Sequence, residues 1–227
     1  MSAEPRTARP RRTVAIAALV VVVLVAATVI VLRLYAPSTG EQGDDGSPGG
    51  AGSSPSPAAT AAVATGCLGG AARDAAMVRA AQDAADQTES GAVEVSAAFV
   101  RWLNQYPYPE GVEQVQQSSL AAEAPTRDLV AFFATDPDLS GGLVGRDEPY
   151  WLSTVSGVYV VESASDDAVT TSIGTALVTD GELSPTLKGS ITVTVAWEND
   201  QWAFVRSEGT RTTEDLFAVG TPFSGGC

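Results

Sequence analysis

One loop in the chain carries oxygen-bearing side chains at spacings that could bind calcium. Asp136, Asp138, Ser140 and Asp147 occupy positions 1, 3, 5 and 12 of a twelve-residue segment, and Gly141 stands at position 6, where calcium loops turn sharply. However, position 12 is an aspartate instead of the longer glutamate that binds bidentately, and an apolar residue occupies position 9. An Asp-Pro turn with helix-capping side chains explains the same residues. We therefore predict no metal and no cofactor, with calcium at the four oxygen-bearing residues as the alternative.

The chain lacks the residue patterns of hydrolytic and nucleotide-binding enzymes. It contains no histidine, which removes the usual general base, the usual zinc ligand and the partner of a serine or cysteine nucleophile. It has no G-x-S-x-G segment and no phosphate-binding glycine loop, and Ser184 precedes Lys188 by four residues instead of three. Paired carboxylates could support glycoside hydrolysis. The acidic doublets, however, fall at predicted turns or element ends: Asp147-Glu148, Asp166-Asp167 and Glu214-Asp215. We predict that the protein is not an enzyme.

Cys67 and Cys227 are the two cysteines, and they stand at the two ends of the predicted folded domain. In an oxidising compartment such a pair is expected to form a disulfide, which would close a loop of about 160 residues and tie the ends together. Two free thiols or an intermolecular bridge are the alternatives. Neither cysteine belongs to a C-x-x-C pair, so the sequence does not indicate redox catalysis.

An apolar run from Val14 to Leu32 indicates a membrane-spanning helix. At 1.5 Å per residue it is about 28 Å long, close to the roughly 30 Å hydrocarbon core of a bilayer. Arginines at positions 6, 9, 11 and 12 precede it, and such clusters stay in the cytoplasm. We predict a cytoplasmic basic tail at 1–12 and a single transmembrane helix at 13–35 in the cell membrane, with the C-terminal part extracytoplasmic. A cleaved signal peptide is the alternative, although its apolar core would be shorter.

The rest of the chain divides into a linker and one domain. Residues 36–65 are rich in proline, glycine, serine and alanine and offer little that could be buried, so we predict a disordered linker there. Residues 66–227 suffice for one hydrophobic core, and we predict an extracytoplasmic domain. From Gly66 onward the chain holds eight basic and 23 acidic side chains. This excess of negative charge disfavours nucleic-acid binding, and solubility is its simplest explanation.

Helical periodicity dominates the first half of the predicted domain. Helices are expected at Ala71–Thr88, Ala92–Gln105, Val112–Ala122 and Thr126–Ala134. The first has a stripe of mostly small residues, formed by Met77, Ala81, Ala84 and Thr88. The second has a larger stripe, formed by Val95, Phe99, Trp102 and Tyr106. We interpret the aromatic stripe as core rather than as a ligand-binding box.

The second half alternates apolar and polar residues with a period of two, which is typical of strands. Strands are expected at Ser153–Glu162, Val169–Thr179 and Ile191–Trp197, followed by one that contains Trp202 and Phe204. If Asn199-Asp200 forms a two-residue turn, Trp197 faces Trp202 and Val195 faces Phe204 across a hairpin. A last short helix or strand is expected at Glu214–Val219.

This order of elements predicts an α+β fold in which helices pack on a curved antiparallel sheet of about four strands. The strand-like stretches are Trp151–Val161, Ile191–Trp197 and Trp202–Arg206. With the basic tail, the membrane helix and the linker, this layout resembles the bitopic membrane proteins that have a nuclear-transport-factor-two-like outer domain. Two groups are similar in architecture: the TcpC-type assembly component of conjugation and type IV secretion systems, and the Mce-associated membrane proteins. The resemblance implies a non-enzymatic scaffold that associates with itself and docks partners.

We therefore predict a non-catalytic, single-pass membrane protein whose outer domain assembles with itself or with other envelope proteins, as part of a conjugative transfer or secretion apparatus. The alternative, of the Mce-associated type, is a binding module that holds a lipid or small molecule in an apolar pocket between the sheet and the helices. The candidate pocket or core residues are Phe99, Trp102, Trp197, Trp202 and Phe204. A pocket lined by Phe99, Trp102, Trp197 and Phe204 and open to solvent would favour the binding module, whereas a closed pocket with an exposed apolar strip on the sheet would favour the scaffold.

Overall fold

The computed structural model describes residues 62–209 and 211–227, which form an α+β domain. Its helices are α1 (Ala75–Ala84), α2 (Glu89–Leu103), α3 (Val112–Ser118), α4 (Leu129–Ala134) and α5 (Thr213–Val219). Its strands are β1 (Gln105–Tyr106), β2 (Tyr150–Ala164), β3 (Ala168–Thr179), β4 (Glu182–Glu198), β5 (Gln201–Glu208) and β6 (Thr221–Pro222). The predicted class, helices followed by an antiparallel sheet, is confirmed.

The predicted membrane segment lies outside these residues. The transmembrane helix expected at 13–35 and the linker from 36 to 61 do not belong to the described part of the chain. Among the residues that the structure describes, no helix is long and apolar enough to cross a membrane. The membrane anchor therefore stays a prediction.

The four long strands form a curled antiparallel half-barrel. The strand order is β1-β2-β3-β4-β5, and the short β6 pairs with β2. The hairpin expected between β4 and β5 is confirmed, because Asn199 and Asp200 both have positive φ (52° and 61°). Trp197 pairs with Trp202, and Val195 pairs with Phe204. Asparagine and aspartate tolerate this left-handed backbone, so the turn residues fix the register of the sheet edge.

Strand β4 begins at Glu182, well before the predicted start at Ile191. The pairing of β4 with β3 shifts register in between. Leu183 pairs with Val178 and Lys188 pairs with Ala176, so β4 has more residues between the two pairs than β3 has. The residues between these two pairs form an irregularity in the ladder. Proline has no N–H to donate and is tolerated at such bulges, so Pro185 interrupts the sequence pattern without ending the strand.

Helix α1 buries a different stripe from the one predicted. It ends at Ala84, and both Ala84 and Thr88 are exposed. The buried face consists of Ala75, Met77, Val78, Ala81 and Gln82. Gln82 can be buried because its Nε2 donates to Trp202 O at 2.7 Å, a contact that a search for apolar stripes overlooks. Thr88 instead caps α2, where its Oγ1 accepts a hydrogen bond from Gly91 N.

Helix α2 runs through the core and is buried on all sides between Gly91 and Trp102. Its stripe residues Val95, Phe99 and Trp102 share one cluster with the inner face of β3, as expected, while Tyr106 lies beyond the helix in β1. Successive residues of a strand face opposite sides, so the outer face of the sheet needs its own cover. Helix α5 provides it by packing on β2, β3 and β4.

A disulfide joins Cys67 to Cys227, with Cα atoms 5.4 Å apart. The predicted intrachain pairing is therefore confirmed. Thr154 of β2 holds the same two chain segments, because its Oγ1 donates to Gly66 O at 2.7 Å and accepts from Cys227 N at 3.0 Å. The sheet thus anchors both segments next to the bridge.

Residues 62–72, called the strap below, pack along α2. The strap includes the last four residues of the predicted linker, and Ala64 is only 2% exposed. Two charged side chains of α2 hold it. Glu94 accepts hydrogen bonds from main-chain N–H groups of the strap, and Arg101 Nη2 donates to Gly70 O at 2.8 Å and to Ala72 O at 3.2 Å. The packed domain therefore begins before Gly66, because buried polar groups fix a segment that has few apolar side chains.

Candidate functional site

An apolar cavity of about 220 Å³ opens between α2, α4 and β5. It is lined by Phe99, Leu103, Pro125, Thr126, Leu129, Phe132, Phe204, Val205, Arg206 and Ser207. Thr126, Arg206 and Ser207 are exposed, so the cavity is open to solvent on their side. Concave, mostly apolar sites with a few polar groups are typical of small-molecule pockets, and this volume suits a ligand below drug size.

Two stacked phenyl rings form the floor of the cavity. The ring centroids of Phe99 and Phe204 lie 3.8 Å apart, and the ring planes differ by only 9°. Phe99 is 1% exposed and Phe204 is 6% exposed. The main chain of Phe204 is fixed at the edge of β5 that faces away from β4, because its N–H donates to Ser119 O and its C=O accepts from Ala121 N, both at 2.8 Å. The floor is therefore pre-formed.

Helix α4 supplies the opposite wall through Leu129 and Phe132. A helix of six residues is not stable by itself, so its position depends on its caps and contacts. Asp128 Oδ1 accepts from Ala131 N at 2.8 Å, and Gln116 Oε1 of α3 accepts from Leu129 N at 2.7 Å. These side chains satisfy N–H groups at the start of the helix and hold the wall against α3.

Two of the five candidate pocket residues, Phe99 and Phe204, line the cavity. Trp102 is fully buried inside the core cluster. Trp202 is also buried, and Trp197 packs on it with ring centroids 5.3 Å apart. The three tryptophans therefore belong to the core and to the hairpin instead of the cavity.

Leu129, Phe132 and Arg206 line the cavity but were not predicted as site residues. The first two are spaced three apart in a predicted apolar helix, which is a usable signal. Their helix is so short, however, that its contacts decide which face turns toward the cavity. Arg206 carries no signal in the sequence, because alternation predicts only that it lies in a strand.

The four calcium-candidate residues lie in one loop, but neighbouring groups engage their side chains. Asp136 Oδ1 accepts from Tyr108 OH at 2.7 Å, and its Oδ2 pairs with Arg146 at 3.0 Å. The other contacts are those of Asp138 with Ser140 Oγ at 2.6 Å and of Asp147 with Tyr106 OH at 3.2 Å. Among the described residues, no group of three or more histidine, cysteine, aspartate or glutamate side chains could hold a metal ion. These contacts instead pin the loop to the tyrosines around β1.

The tyrosine contacts predict a loss of stability at alkaline pH. Burial, followed by the hydrogen bond to Asp136, raises the pKa of Tyr108 to about 12. A tyrosine in the unfolded chain has a pKa of about 10. Protonated Tyr108 therefore contributes its full stabilisation of the fold below that pH, and this contribution is lost as the pH rises through about 12. We expect the melting temperature to fall over this interval, and to fall less steeply in Tyr108→Phe. Parallel pH profiles of the two proteins would contradict the assignment.

Comparisons with protein-family models, with curated proteins and with solved structures found no match to this chain.

Proposed function

We propose that this chain is a membrane-anchored, non-catalytic binding module whose extracytoplasmic domain holds a small apolar ligand in the cavity between α2, α4 and β5. One observation carries the proposal: a pre-formed apolar cavity that opens to solvent and has buried Phe99 and Phe204 as its floor. An open pocket is the feature expected of a binding module, although Trp102 and Trp197, which were expected to line it with Phe99 and Phe204, lie outside this cavity.

The exposed apolar side chains give less support to a scaffold. The large ones among the described residues are Val63, Val130, Leu143, Val155, Leu183, Leu187 and Val219. They belong to six different segments of the chain, with Val155, Leu183 and Leu187 on the sheet strands β2 and β4, and single exposed apolar side chains are normal on a protein surface. The assembly role in a transfer or secretion apparatus, and the resemblance to nuclear-transport-factor-two-like domains, stay predictions.

The chemistry of the cavity supports binding rather than catalysis. Arg206 is its one ionisable side chain, and a guanidinium stays protonated at neutral pH, so it cannot exchange protons with a substrate as a general base does. The hydroxyls of Thr126 and Ser207 lie at the rim. A hydroxyl becomes a nucleophile when an adjacent base activates it, and the lining supplies no such base.

The placement outside the cytoplasm rests on the apolar run at 14–32 with its preceding arginines, and the disulfide supports it. A bridge between Cys67 and Cys227 is expected to persist in an oxidising compartment, whereas cytosolic thiols are kept reduced. The cavity would then meet ligands from the extracytoplasmic space.

Photolabelling of the full-length protein in membranes tests the binding module. The neutral probe para-(trifluoromethyldiazirinyl)benzyl alcohol has an apolar ring of suitable size, and peptide mass spectrometry locates its adduct. We expect labelling on the cavity segments 99–103, 125–132 and 204–207. The variant Thr126→Trp places an indole over the mouth of the cavity and is expected to reduce this labelling about tenfold, because the apolar contacts are blocked.

The matched control is Thr186→Trp, which introduces the same ring at an exposed position outside the cavity lining. It should label as the unmodified protein does. Labelling spread evenly over the surface, or equal labelling in the two tryptophan variants, would show that the cavity is not a binding site.

A further inference from the structure

We infer that the ligand of this cavity is a small amphipathic carboxylate, whose apolar body fills the cavity and whose carboxylate pairs with Arg206. This inference rests on the proposed function, since it names the class of ligand for the same cavity. It is carried by the position of one cation at the mouth of an otherwise uncharged pocket.

The sign of the charge at the mouth contrasts with the rest of the domain. From Gly66 onward acidic side chains outnumber basic ones by 23 to eight, yet Arg206 is the only charged residue among the ten that line the cavity. Burying apolar surface beside a cation favours a ligand that has an apolar part and a negative end. A carboxylate on such a ligand could pair with the guanidinium, whereas a neutral hydrocarbon would gain nothing from it.

The guanidinium of Arg206 is available for a ligand. Its carboxylate partner among the described residues is Glu208, and the contact joins Arg206 Nε to Glu208 Oε1 at 3.4 Å. The two side chains are 51% and 44% exposed, so this ion pair contributes little to stability. Arginine presents a planar fork of donors that matches a carboxylate bidentately. A ligand carboxylate can therefore replace Glu208, whose side chain has room to turn into solvent.

The volume limits the size of the apolar part. A cavity of roughly 150 Å³ lined by apolar side chains holds one benzene molecule in another protein. The present cavity of about 220 Å³ accordingly accommodates a substituted ring or a short chain. A lipid with two long acyl chains would not fit. The expected class is a monocarboxylic acid with a single ring or a medium-length chain.

The experiment compares two photoreactive probes that share one apolar body. One is para-(trifluoromethyldiazirinyl)benzoic acid, which is ionised at pH 7, and the other is the neutral benzyl alcohol used above. Both are applied to the full-length protein in membranes, and the measured quantity is the ratio of acid to alcohol adducts on the cavity segments. We expect Arg206→Gln to lower this ratio about five- to tenfold, because a charge-assisted bidentate contact is lost while the apolar walls remain.

Two further variants make the ratio specific. Arg79→Gln removes a positive charge from the exposed side of α1, away from the cavity lining, and should leave the ratio unchanged. Glu208→Gln frees Arg206 from its present partner and should raise the ratio. Labelling by the alcohol is also the folding control, since it requires an intact cavity in every variant.

The outcomes separate the ligand class from the proposed function. If the alcohol labels the cavity but the ratio is the same in Arg206→Gln and Arg79→Gln, the carboxylate inference is overturned and the binding module stands. If neither probe labels the cavity segments in the unmodified protein, both the inference and the binding module are overturned.

Discussion

Replacing Glu94 with alanine is expected to lower the free energy of unfolding of the fragment 62–227, which contains the described domain, by about 3–5 kcal/mol, the range found when a buried charge network loses one partner. Glu94 lies on α2 and is 7% exposed. Its Oε1 accepts from Thr65 N and from Thr65 Oγ1, the latter at 2.7 Å, and its Oε2 accepts from Gly66 N at 3.0 Å and Leu68 N at 3.4 Å. One carboxylate therefore satisfies three main-chain donors of the strap.

Alanine at this position would leave those N–H groups without an acceptor. It would also destabilise the buried charge of Arg101. Burial is the main cause that lowers the pKa of Arg101 to about 10, the charge of Arg73 adds to it, and the charge of Glu94 opposes it. Without Glu94 the buried guanidinium loses the negative charge that stabilises its protonated form. The strap then has to lift away from α2 or remain with unsatisfied donors.

Urea unfolding followed by the fluorescence of the buried tryptophans measures the effect. Glu89→Ala is the matched control, since Glu89 lies in the first turn of the same helix but is exposed. Its loss should cost no more than about 1 kcal/mol, through the helix dipole alone. Similar losses for the two alanine variants would show that the strap contacts contribute little.

Removing the disulfide, by Cys67→Ser together with Cys227→Ser, is expected to destabilise the same fragment by about 2–5 kcal/mol. The bridge closes a loop of 160 residues, so it restricts the unfolded chain strongly. The folded state should change little, because Thr154 still joins Gly66 O to Cys227 N. The double variant is therefore expected to remain folded at 25 °C and to unfold at a lower urea concentration.

Combining this change with Glu94→Ala tests whether the disulfide and the Glu94 carboxylate both hold the strap. Residues that fix the same segment are expected to couple by about 0.5–3 kcal/mol in a double-mutant cycle. Without the bridge the strap can detach more freely, so the loss of Glu94 should cost less than it does in the bridged protein. Strict additivity would indicate that Glu94 and the disulfide stabilise the domain independently.

The parts of the fold that were predicted correctly depend on local signals. The turn Asn199-Asp200 and the alternation of residues around it specify the last hairpin with its register, because positive φ and a period of two are properties of neighbouring residues. Phe99 and Phe204 were placed at the candidate pocket or core because large aromatic residues on a helical stripe and on a strand are expected to meet inside.

The errors arise where distant groups meet. The buried stripe of α1 includes Gln82, whose partner is Trp202 O, and no periodicity in α1 reveals that acceptor. Ala64 was assigned to a linker because its neighbours are small and polar, yet the strap is held by Glu94 on α2. A buried charge is tolerated only when specific partners are supplied, and those partners come from another part of the chain.

The sequence by itself determined the α+β class, the hairpin register and the availability of two cysteines for a bridge, since these depend on residue type and on spacing along the chain. Only the tertiary structure decided that Phe99, Leu129 and Arg206 surround one open cavity and that Glu94 holds the strap. Cavities and buried hydrogen bonds are set by distances between residues far apart in sequence, which local periodicity does not encode.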